Sequence, residues 1–164
     1  MSLTSGYLTT KQSRIWGLSA NGVSESSIAR KLRITRQTVH KALDTANAKV
    51  NESLRETAKL NKIRIEKIEP VKGFLTGYSA HFQTEALVTF SAKNGVQVWY
   101  RHEGDCRNCE QLRTCRDTLL AEAKDRSIPL PKDSEEIMPS EFAKTLFVRI
   151  TGEPEKAELR NEQQ

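Results

Sequence analysis

No stretch of the chain comes near the roughly 20 consecutive apolar residues that a membrane-spanning helix needs, and its first residues lack the apolar core of a secretory signal. The expectation is a cytoplasmic protein with no membrane partner. Cysteine is scarce, three in 164 residues. An odd number in a chain expected to stay in a reducing compartment argues against a disulfide framework. There is no Walker loop, no dinucleotide-binding glycine pattern and no nucleophile–base pair, so no catalytic residue is assigned and the chain is read as a non-enzyme. Glycine and proline are missing between Thr35 and Glu69. That gap predicts one long helix ending at Pro70.

Charge is plentiful and uneven. Residues 1–69 carry 13 Lys/Arg against 6 Asp/Glu, or +7, while residues 70–164 carry 13 against 15, or −2. A basic first half suits a polyanionic partner. Within it, Thr9 or Thr10 can cap a first helix holding Ile15, Trp16 and Leu18, which breaks at Asn21-Gly22. Ser24 caps a second, short helix with Ile28, Ala29 and Leu32 at helical spacing, and Thr35 caps a third through Val39, Ala42 and Leu43.

The stretch LTTKQSRIWGLSANGVSESSIARKLRITRQTVHKAL, with Leu8-Thr9, Gly22, Ile28-Ala29, Leu32, Ile34 and Thr38-Val39 in that order, resembles the helix-turn-helix of LuxR-type regulators and the promoter-reading part of sigma factors. The resemblance covers about a quarter of the chain. It departs from many relatives at Arg33, in the turn where a small residue such as glycine would ease a positive φ. It implies a sequence-specific DNA-binding transcription regulator whose partner is double-stranded DNA. In such a fold the start of the third helix reaches base edges, which nominates Thr35, Arg36, Gln37, His40 and Lys41. Arg36 suits a guanine and Gln37 an adenine; Lys41 and Arg30 suit phosphates, and Thr38 a phosphate or a thymine methyl. Val39 and Leu43 should point inward.

Along the long helix Leu43, Leu54 and Ile65 recur every 11 residues, with Val39, Ala46, Val50, Ala58 and Ile68 on the same broad face. An apolar stripe of that length needs cover, from a second copy of the chain or from the C-terminal domain. The expectation is a homodimer through the long helix. Asn47 and Asn61 weaken the stripe as a coiled-coil seam.

Beyond Pro70 the period changes. EALVTFSA and VQVWYRH flank Lys93-Asn94-Gly95 and predict a β-hairpin; with a two-residue turn Phe90 would face Trp99. Helices are expected from about Glu110 to Arg126, with Leu112, Leu119, Leu120 and Ala123, and from Pro139, with Phe142, Leu146, Phe147 and Ile150. All three cysteines fall within HEGDCRNCEQLRTC. His102, Cys106, Cys109 and Cys115 form H-x3-C-x2-C-x5-C, a set suited to closed tetrahedral zinc. His81 or Asp105 could replace His102 as fourth ligand, and Arg101, Arg107, Arg113 and Arg116 would offset the net negative charge of three thiolates. An iron–sulfur cluster, and with it a redox or oxygen sensor, is the alternative cofactor. A third possibility is an RNA-binding or protein-scaffolding module built on the cysteine knuckle.

The expected fold class is α+β. Residues 1–46 would form the three-helix DNA-binding domain and 47–70 the long helix, linker and dimerisation element. Residues 71–152 would form a small metal-binding α+β domain with a hairpin and helices, and 153–164 a disordered tail.

Overall fold

The structure is a computed structural model that describes residues 8–101, 105–130, 132 and 136–153. The fold is α+β, with five α-helices and a four-stranded antiparallel sheet among the described residues. It divides into two compact units, residues 1–101 and 102–164. The residues 154–164 expected as a tail lie outside the described set.

The first unit opens with α1, Thr10–Ala20, capped by Thr9, whose hydroxyl accepts from the Gln12 amide while the Gln12 side chain accepts from the Thr9 amide. Ser24 caps α2, Glu25–Leu32, and Thr35 caps α3, Arg36–Leu60. Arg33, which ends α2, adopts φ 54, so the backbone does take the left-handed conformation that the sequence placed there without a glycine. Ile15, Trp16, Ile28, Val39 and Leu43 close the core among these three helices.

The sheet runs β1, Ile63–Glu69; β2, Phe74–Ser79; β3, Thr84–Ser91; β4, Gly95–Tyr100, as a simple meander. One face carries Ile68, Leu75, Val88 and Val98 in register across the four strands, and a second row of Ile65, Gly77, Ala86 and Tyr100 lies beside it. This face covers α3, where Ala46, Val50, Leu54 and Ala58 are all fully buried within the single chain.

Four expectations change here. The long helix stops at Leu60 instead of reaching Pro70: Asn61 caps it, Lys62 turns the chain at φ 53, and IRIEKIE continues as a strand. The apolar stripe of α3 is covered by the chain's own sheet, so the reason for expecting a homodimer through the long helix falls away. The hairpin belongs to the same compact unit as the N-terminal helices, and the division comes after Arg101. The hairpin loop spans Ala92, Lys93 and Asn94, with Gly95 at φ 67, so Phe90 faces Val96 and Trp99 faces Leu87.

Asn47, an apparent flaw in the stripe, accepts the indole N–H of Trp16 at 3.1 Å, and the Trp16 ring meets Phe90 edge-on with centroids 5.0 Å apart. Gly73, at φ 68, lets this happen: a Cβ there would run into the Phe90 carbonyl and lie 2.7 Å from the Trp16 ring.

In the second unit a 3-10 turn, Cys106–Asn108, precedes α4, Leu112–Asp125, and α5, Pro139–Thr151 follows. The two helices pack together, with Leu119, Ala123, Phe142, Leu146 and Ile150 buried. No helix among the described residues is long and apolar enough to cross a membrane.

Candidate nucleic-acid interface

The start of α3 divides its side chains sharply. Thr35, Arg36, Gln37, His40 and Lys41 are exposed, Thr38 is half-buried, and Val39 and Leu43 are buried as expected. Arg30, near the end of α2, is exposed as well. The Thr35 hydroxyl accepts from the Thr38 amide at 3.1 Å and lies 2.8 Å from the Thr38 hydroxyl. Both threonines are therefore engaged in the cap, and Thr38 shares its hydroxyl with Thr35.

One residue here escaped the sequence reading. Glu25, in the first turn of α2, approaches Nδ1 of His40 at 3.1 Å and the Arg36 guanidinium at 3.5 Å. Asp44 lies 3.6 Å from the other His40 nitrogen. The hydrogen bond to Glu25, helped by the Asp44 charge, raises the His40 pKa above its ordinary 6.5. The hydrogen bond from His40 in turn holds the Glu25 carboxyl below its ordinary 4.5. Only the contact of α2 with α3 juxtaposes these groups, which stand 11 and 15 positions apart. Glu25 could be recognised as a first-turn acid favoured by the helix dipole, but not as a holder of two cations on the next helix.

The cysteines are free thiols, Cys109 exposed and Cys106 and Cys115 half-buried. The amide of Cys109 donates to the Cys106 carbonyl at 3.2 Å, and that of Leu112 to the Cys109 carbonyl at 3.1 Å, folding the C-x2-C segment into a tight knuckle. Cys115 lies near the start of α4, three residues after Leu112. Burial raises its pKa, and so do the charges of Cys106 and Cys109. Among the described residues no group of three or more His, Cys, Asp or Glu forms a ready-made metal cage. His102, the expected fourth ligand, lies outside the described residues.

Of the two substitutes for His102, Asp105 is engaged by its neighbour and His81 meets an aromatic ring. Asp105 binds the Arg107 backbone amide and its guanidinium, both at 2.9 Å, and these hold its carboxyl below the usual range. The His81 ring sits edge-on to Phe82, 4.7 Å between centroids. Of the arginines expected to offset the thiolates, Arg101 approaches Glu85 at 4.0 Å and Arg116 donates to the Ile137 carbonyl at 3.5 Å. Arg113 is exposed.

Comparison with protein-family models, with curated proteins and with solved structures gives no match. Function therefore rests on the geometry of this chain alone.

Proposed function

We propose that this chain is a sequence-specific, duplex-DNA-binding transcription regulator that lays the N-terminal end of α3 in a major groove. The observation that carries this reading is the split along the first two turns of α3. Arg36, Gln37, His40 and Lys41 project outward, while Val39 and Leu43 lock the same turns to α1 and α2. Thr35 and Arg30 flank that surface with a hydroxyl and a cation. Glu25 supports it by holding Arg36 and His40 before any ligand arrives, which limits the side-chain entropy lost on binding.

The test pairs selection from random duplexes with titrations of two variants. Arg36→Ala should relax base preference at one or two positions, by about 1–3 kcal/mol each. Lys41→Ala should weaken binding to every duplex alike and lower the salt slope by about 0.9. A wild-type site profile for the first together with an unchanged slope for the second would overturn the reading.

A second reading concerns the second unit and rests on the tight turn at Cys106 and Cys109 and on the place of Cys115 at the start of the helix that follows. These thiolates, with His102 as fourth donor, would hold a structural zinc ion, which would supply a cross-link between the knuckle and the start of α4. An iron–sulfur cluster on the same donors is the alternative, told apart by a brown chromophore in anaerobically purified protein. Metal analysis of the wild type against Cys109→Ser decides: no metal in the wild type removes both.

A further inference from the structure

Among the described Phe, Tyr and Trp rings of the first unit, Trp16, Phe74 and Phe90 are buried and Tyr78, Trp99 and Tyr100 half-buried, which leaves one exposed, Phe82. It sits in the β2–β3 turn and is 57% exposed. Its backbone is fixed, since the Phe82 amide donates to the hydroxyl of fully buried Ser79 at 3.3 Å. Its ring packs against Tyr100 and His81, each with centroids 4.7 Å away. Tyr100 donates from its hydroxyl to Asn61 at 3.4 Å, which ties the rings to the turn after α3. That turn carries Lys59 and Lys62, both exposed, on either side of Leu60, the most exposed large apolar residue described at 81%.

An exposed ring held by other rings and flanked by lysines matches the chemistry of an unpaired nucleotide. A base stacks on the face of the aromatic, and the adjoining phosphates meet the ammonium groups. A protein partner fits less well, because lysine is depleted at protein–protein interfaces and the apolar area here amounts to little more than one ring and one leucine. Duplex DNA fits poorly, since its bases are already stacked on one another. The patch also stays open when the other end of α3 is engaged: Arg36 and Leu60 are 24 residues apart, about 36 Å along the helix.

We propose that Phe82, backed by Tyr100 and flanked by Lys59 and Lys62, is a binding site for single-stranded nucleic acid. It depends neither on the cysteines nor on the duplex reading. The contacts of the ring with Tyr100 and His81 lower the ordering cost of presenting it, and one or two nucleotides stack there.

The full chain is titrated with a labelled single-stranded oligothymidylate and, in parallel, with a mixed-sequence duplex. Phe82→Ala should weaken single-strand binding roughly tenfold or more, with Phe82→Tyr restoring it and duplex binding unchanged in both. Lys59→Glu combined with Lys62→Glu should reduce the salt slope for the single strand by about 1.4, two phosphates at 0.7 each. Equal single-strand affinity in wild type and Phe82→Ala overturns the site, as does self-association that Phe82→Ala abolishes in a wild type that ignores the oligonucleotide. Arg36→Ala, affecting only the duplex titration, keeps failure of this site distinct from failure of the duplex reading.

Discussion

At the scale of single residues, Arg33 holds a left-handed backbone with an ordinary side chain, a conformation that costs roughly 1–2 kcal/mol for any residue with a Cβ. Arg33→Gly should remove that strain and lose part of the gain to a more mobile unfolded chain. The expected outcome is a rise of about 0.5 kcal/mol in unfolding free energy, read from a denaturant midpoint at constant m-value. The Glu25–His40 pair makes a pH prediction with a definite sign. His40 has its pKa raised in the folded state, so its contribution to stability is present below 6.5 and fades as pH climbs through the raised value. Glu25 has its pKa lowered, so its contribution is present above 4.5 and fades as pH falls through the lowered value. In Glu25→Gln an NMR titration should find His40 back toward 6.5; an unchanged value would mean that Asp44 alone sets it.

At the scale of elements, α3 shows how a correct pattern can lead to an incorrect partner. Leu43 and Leu54 repeat on one helical face and are buried, but the next member of that repeat, Ile65, faces the same core from a strand. The change of period was present in the alternation of Ile63, Arg64, Ile65 and Glu66. It was masked by the absence of any glycine or proline and by good helix formers on its N-terminal side. What ends the helix is Asn61 and the left-handed Lys62, a signal weaker than proline. Because the stripe is covered internally, Leu54→Ala should open a cavity and cost about 2–5 kcal/mol, with no change in sedimentation coefficient. A shift in oligomeric state instead would return the stripe to a second copy.

At the scale of the whole molecule, the two units are separately compact and should respond separately to metal removal if the cysteines hold zinc. Treatment with a strong chelator should abolish or lower the melting transition of the helical second unit, while the first, with its Trp16–Phe90 core, keeps its own. A single unchanged transition would count against metal in the fold.

The sequence by itself determined what depends on neighbours in the chain: the caps at Ser24 and Thr35, a first cap narrowed to Thr9 or Thr10, the α4 and α5 segments, the inward Val39 and Leu43, and the existence of the β3–β4 hairpin. These follow from side chains acting within a few residues of themselves, where spacing and capping chemistry decide. Tertiary structure alone decided that the sheet covers α3, that Glu25 holds Arg36 and His40, that Asn47 satisfies Trp16, and that Phe82 is left outside on a support of rings. Each of these joins groups from separate elements, and burial, not local propensity, selects which of the possible pairings forms.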